Sequence, residues 1–217
     1  MGKIMEAVFC IAYIIVTFIL GGLILRKSNG NREYKLFGVM TLVLVFGDSF
    51  HLIPRIFAAI DQTGDYHVML GLGKLITSIT MTIFYLILFF IYSMRYKYRN
   101  TGLMVSMVVL AIARIVLCLM PQNDWTGEDP VTWGIIRNIP FTIMGIIMII
   151  LYFKERKDSA FKWMWLAITL SFAFYIPVVL WSDLSPMVGM LMLPKTCMYV
   201  WAICMGYKEV KTINQRS

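Results

Sequence analysis

Charge is scarce in this chain, and acid scarcer still. Of 217 residues only 15% are charged, with 12 acidic side chains against 20 basic ones. Soluble domains carry about a quarter charged residues. With 59% hydrophobic residues and a mean hydropathy of +0.75, the composition excludes a soluble domain and dictates an integral membrane protein. Cysteine is sparse as well: Cys10, Cys118, Cys197 and Cys204 all lie in apolar runs and form no C-x-x-C pair, which argues against a disulfide framework or a thiolate metal site. With His51 and His67 the only histidines, a zinc site of three histidines is excluded. Gly71-Leu72-Gly73-Lys74-Leu75 lacks the hydroxyl residue and the first glycine spacing of a phosphate loop. No cofactor is expected.

What is present is apolar length. A membrane span needs about 20 apolar residues, and seven runs qualify, at 4–25, 36–59, 67–93, 102–120, 134–153, 160–181 and 186–206. The first exceeds a signal-peptide core and is followed by Arg26-Lys27 in place of a cleavage site, so it reads as a retained helix. The connections are too short to fold alone, making residues 1–217 a single membrane domain of all-α class.

The net charge of +8 does not indicate nucleic acid, because of where it falls. Arg26, Lys27, Arg32 and Lys35 occupy the first loop, Arg95, Lys97 and Arg99 the third, Lys154, Arg156, Lys157 and Lys162 the fifth, and Lys208, Lys211 and Arg216 the tail. The even-numbered loops hold Asp61, Asp65, Asp124, Glu128, Asp129 and Asp183. Basic loops stay cytoplasmic, which puts the N-terminus outside, the C-terminus inside, and the protein in the cell membrane among lipids.

Gly47-Asp48-Ser49-Phe50-His51-Leu52-Ile53-Pro54-Arg55 interrupts the second run with polar residues. Asp48, His51 and Arg55 recur at i, i+3 and i+7 and share one helical face. A charge in hydrocarbon costs at least about 2.5–3.5 kcal/mol, so it is retained for a partner or a function. Asp48 is the one acid near the midplane, whereas Arg55, Lys74, Arg114 and Lys195 lie in the outer half, roughly 9–15 Å below the surface at 1.5 Å per residue. Arg137 stands at the outer mouth of the fifth run. Snorkelling accommodates Arg55 and Arg114 but not the deeper Lys195. A water-filled cavity open to the outside accounts for all four.

The other candidate residues follow. Lys74, Ser78, Thr82 and Tyr85 make a polar stripe on the third helix, which serves either as helix–helix glue or as a cavity wall. Asn138 lies in the outer half of the fifth helix, Tyr175 on the sixth, and Tyr199 one turn below Lys195 on the seventh. Asp48 is expected to contact Lys74, Lys195 or Arg114, with His51 and Tyr85 or Tyr199 nearby. Helix 1, with Glu6 near its outer end and Gly21-Gly22 near its inner end, carries nothing that indicates chemistry.

An internal repeat is also legible. Ile53-Pro54, an acidic turn and Gly73-Lys74 correspond to Ile176-Pro177, an acidic turn and Pro194-Lys195, with Pro-to-Lys spacings of 20 and 18 residues. Residues 1–93 then repeat as 134–207 in parallel, with 102–120 as a linker helix. This 3+1+3 layout is similar to that of the SWEET and PQ-loop transporters, the KDEL receptors and the rhodopsins, in topology across the whole chain but in no motif. Pro121-Gln122 lies in an outer loop, not in helices 1 and 5, and Leu191 stands where microbial rhodopsins carry an Asp. The resemblance implies a central ligand site.

Three functions compete. A carrier of a small anionic or zwitterionic solute would use Lys74, Lys195 and Arg55 to hold the anion, with Asp48 and His51 exchanging a proton. An intramembrane lipid-modifying enzyme would use Ser49, His51 and Asp48; alkaline-ceramidase-like proteins use Ser, Asp and His in seven helices, but the seventh run here has no H-x-x-x-H pair. A receptor for an extracellular anion would need a signalling partner. Oligomeric state is not encoded legibly.

Overall fold

The computed structural model of the chain describes residues 2–61, 63–127, 129–181 and 186–215. Glu128, Asp183 and Arg216, counted above among the loop and tail charges, lie outside the described residues. All regular structure among the described residues is helical: α1 (Gly2–Arg26), α2 (Arg32–Ile60), α3 (His67–Arg95), α4 (Thr101–Leu119), a 3₁₀ turn (Pro121–Asn123), α5 (Val131–Lys154), α6 (Met164–Trp181), a short α7 (Pro186–Gly189) and α8 (Met192–Asn214). Seven helical segments are long and apolar enough to cross a membrane, the last running from Met187 to Ile213 across α7 and α8. The chain is thus a polytopic membrane protein, and its outward faces carry Ile4, Val8, Phe18, Phe46, Val105, Ile112 and Ile146 exposed, as a lipid-facing surface requires.

The helix ends explain where the observed bounds differ from the apolar runs. α2 begins at Arg32 rather than 36 because the Asn31 side chain accepts from the Glu33 N–H at 2.9 Å. Asn100 caps α4 in the same way through the Leu103 N–H. Hydrophobicity finds the membrane core but not these polar caps. The sixth run starts at Met164 rather than 160, since turns occupy the preceding stretch and seat Phe161 against Phe37 with ring centroids 5.9 Å apart. α8 continues to Asn214 and buries Val210.

Each long helix packs on its sequence neighbours, and α8 closes the ring by packing on both α6 and α1. α2 and α3 approach each other closely. A Cβ on Gly47 would overlap the Thr80 side chain, and one on Gly73 would overlap the Phe50 carbonyl. Small residues permit such contact between helices in lipid, and Thr77 Oγ1 spans the gap to donate to the Gly47 carbonyl at 3.0 Å.

The bundle is tied shut at the end that carries the odd-numbered loops. Arg95 reaches Asp158 (Nε, 2.7 Å), Glu33 (Nη1, 2.9 Å) and Glu209 (Nη2, 3.0 Å), linking α3 to α2, α8 and the loop before α6. Its guanidinium also lies 4.7 Å from the Phe161 ring centroid. Tyr96 donates to Asp158 at 2.6 Å. Burial acts to raise the Asp158 pKa, but the hydrogen bonds from Arg95, Tyr96 and the Ala160 N–H outweigh it and hold the carboxyl below its usual range.

A cationic cavity at one end of the bundle

At the opposite end the helices part around a cavity of about 560 Å³, within the usual size range of small-molecule sites. Its rim is exposed, at His67, Lys74 and Val131, while Arg114, Asn138 and Lys195 beneath are buried. Phe141 lines the floor and packs on Tyr85 and Phe172, with centroids 5.0 and 5.2 Å away. Polar side chains therefore converge above an aromatic plug.

Every cation flagged by the sequence reaches this region, but most are already engaged. Arg55 pairs with Glu6 of α1. Lys74 Nζ lies 3.0 Å from Asp129 Oδ2, and Arg137 Nη2 lies 2.8 Å from Asp129 Oδ1. Arg137 also donates to Asn123 at 2.9 Å and stacks 4.1 Å from the Trp125 ring centroid. One loop carboxylate thus sits in a two-cation clamp at the cavity mouth. Asp129 has φ +45°, in the left-handed region that Asp tolerates better than most residues.

The two deepest cations have no such partner. Arg114 is 1% exposed; its Nη1 donates to the Arg137 carbonyl and, at 2.8 Å, to Asn138 Oδ1, and its guanidinium carbon lies 4.3 Å from the Phe141 ring centroid. Lys195, 6% exposed, has Nζ 4.2 Å from the centroid of Tyr175 and 5.7 Å from that of Tyr199. Neither forms an ion pair with a carboxylate among the described residues. Tyr175 donates to Asn138 Oδ1 at 2.8 Å, so that one amide oxygen joins the tyrosine to Arg114. Ser78 completes the wall.

The expected contact of Asp48 with Lys74, Lys195 or Arg114 requires correction. Its hydrogen-bond partner is Tyr13 of α1, whose hydroxyl donates to Asp48 Oδ2 at 2.6 Å. Lys195 faces Asp48 across a separate void of about 40 Å³, which Cys10, His51, Arg55 and Tyr199 also line. That is room for a water molecule. Helix 1, expected to carry no chemistry, supplies both Tyr13 and Glu6. Neither looked distinctive in an apolar run: a tyrosine there reads as packing, and Glu6 reads as a helix-end charge. Their pairing with α2 depends on a tertiary contact.

Other candidates fall outside the cavity. Tyr85 is fully buried in the aromatic layer below and does not line the cavity. Thr82 donates back to the Ser78 carbonyl at 2.8 Å, so the α3 stripe is cavity wall in its upper half and packing below. Lys74 is exposed at the rim and Lys195 is buried, so the two lysines matched by the repeat differ in their surroundings. Ser49 donates to the Val45 carbonyl of its own helix at 2.6 Å and lines neither space, which leaves it badly placed as a nucleophile beside His51. Asp129 and Asn123 were missed as site residues, because a loop acid and a loop amide are unremarkable until the loop folds over the bundle. Among the described residues no three His, Cys, Asp or Glu side chains gather as metal ligands.

The seven-helix architecture and this cavity stand without a relative to interpret them: no family model, curated protein or solved structure matches the chain.

Proposed function

We propose that this protein is a carrier in the cell membrane, with its N-terminus outside, that binds a small anionic or zwitterionic solute in the cavity lined by α2, α3, α4, α5, α6 and α8. The observation that carries this reading is the pair of buried cations, Arg114 and Lys195, facing the cavity with no carboxylate among the described residues in ion-pair contact with either. An uncompensated charge in a membrane interior is costly. An anion bound between them would accept hydrogen bonds from both, with Asn138 and Tyr175 orienting it. The apolar part of the wall, including Met81, Val178 and Phe141, suits a ligand with a hydrocarbon or aromatic body.

Transport rather than simple binding is supported by the asymmetry of the two ends. The cavity is open where the acidic loops lie, and the basic end is closed by Arg95 with Glu33, Asp158 and Glu209. Under the positive-inside bias the open end faces outward. Residues 1–93 and 134–207 act as parallel units that rock about the site. In support, α2 and α6 each pack on both helices of their own unit and carry Pro54 and Pro177 within them. Purified protein in proteoliposomes should accumulate a radiolabelled small anion against buffer-loaded controls, and Lys195→Met should not. Binding without uptake would point instead to a sensor.

A further inference from the structure

Lys195 is claimed from two sides. It lines the main cavity beside Arg114, Asn138 and Tyr175, and it lines the smaller void that Asp48 faces from α2. His51, Arg55, Thr77 and Met192 also border both spaces. One buried ammonium therefore stands between a fixed carboxylate and the place proposed for the ligand's negative charge.

We infer that Asp48 is the site of a coupling proton, taken up when an anion occupies the cavity and engages Lys195. This rests on the anion-binding reading above and specifies its coupling ion. With the cavity empty, Lys195 is the cation available to an ionised Asp48, while Tyr13 supplies a hydrogen bond to one carboxylate oxygen. A bound anion takes over the field of Lys195. An ionised Asp48 would then share its cation with a second negative charge in a low-dielectric space, which is costly. Protonation removes that cost. The proton comes from solvent through the cavity and ends on a carboxylate oxygen of Asp48, so one negative charge is lost from the protein as one arrives with the ligand. Reciprocity then requires that lower pH strengthen anion binding.

The other charged and titratable groups around Asp48 do not replace it in this role. From α1, Glu6 is held by Arg55, Cys10 borders the void, and Tyr13 is already the donor. From α3 only Thr77 reaches the void, Lys74 being at the rim with Asp129. From α8, Lys195 and Tyr199 face it. On α2 itself, Arg55 is paired and His51 is the one rival acceptor, with Nδ1 unpartnered among the described residues.

The test is calorimetry on the full chain in detergent, using sulfate, benzoate and succinate as probes, in two buffers of different ionisation enthalpy between about pH 6 and pH 8. Wild type should take up a fraction of a proton approaching one per anion, with affinity rising as pH falls. Asp48→Asn should still bind but show no uptake and no pH dependence. Tyr13→Phe keeps the carboxylate and removes its donor; it should retain uptake at a shifted pH midpoint, and it serves if Asp48→Asn does not fold. Binding with no proton uptake in wild type, uptake that survives Asp48→Asn and disappears in His51→Gln, or an unmoved midpoint in Tyr13→Phe would each overturn the assignment while leaving the anion site standing. No binding of any probe by wild type would overturn the cavity reading and the coupling with it.

Discussion

Lys195 Nζ lies 4.2 Å from the centroid of the Tyr175 ring, and the tyrosine's hydroxyl is turned away to donate to Asn138. A ring face attracts a cation but does not neutralise it. The ammonium is thus positioned without being satisfied, which is what an anion site needs before its ligand arrives.

Lys195→Met tests that position directly. A hydrogen bond to a charged group contributes about 1.5–3 kcal/mol, so anion affinity should fall about 10- to 150-fold. Thermal stability should change little, because the loss of a buried ammonium is set against the loss of Asp48's counter-charge, which a proton on Asp48 can replace while Tyr13 keeps its hydrogen bond. A marked loss of stability would make Lys195 a structural residue.

Asp129→Asn tests the clamp at the mouth. Asparagine tolerates the left-handed backbone at this position, so the loop path should persist while Lys74 and Arg137 lose their internal carboxylate. The Lys74 side chain is 48% exposed, and ion pairs of that kind contribute at most about 1 kcal/mol. The Arg137 pair is less exposed, at 10% and 17%, and breaking it costs more, so stability should fall while anion affinity rises up to about 5-fold. Weaker binding in a titration of this variant would show that Asp129 helps to hold the ligand rather than competing with it.

Arg95→Met should be far more disruptive. It leaves Glu33, Asp158 and Glu209 facing one another without their shared cation, and stranding charges in a partly buried network costs about 3 kcal/mol or more. Wild type should show a matching acid sensitivity. The Asp158 carboxyl is held below its usual range in the folded protein, so its contribution is complete above the unfolded value of about 3.9 and is lost as pH falls below that value through the folded one. Thermal melts in acid should decline in wild type and decline less in Asp158→Asn. Equal slopes would place the acid sensitivity elsewhere.

Much of the architecture was legible because the membrane imposes it. Apolar length marks the seven spans, and the scarcity of charge inside them made Asp48, Arg55, Arg114 and Lys195 conspicuous. What could not be read was pairing. Tyr13 reaches Asp48 across a contact spanning 35 residues, and Asp129 reaches back to Lys74 across 55. Neither partner has a periodicity or a spacing that sets it apart from ordinary residues of its type. The aromatic plug around Tyr85 was hidden for a related reason, since its hydroxyl made a packing residue resemble part of a polar stripe.

Orientation has its own test. Single cysteines introduced at Gly64 and Lys157, in a background lacking the four native ones, should react with an impermeant reagent from outside at the first position only. The second should react after permeabilisation. The reverse pattern would turn the open cavity toward the cytoplasm.

The most direct measurement of the central claim is anion binding to the purified wild-type protein, compared with Lys195→Met and Arg114→Met by calorimetry and thermal shift. At least one of sulfate, benzoate and succinate should bind and stabilise wild type, and both variants should lose this response while remaining folded. Anion responses in both variants equal to those of wild type would contradict that claim, and would make the buried cations part of the scaffold alone.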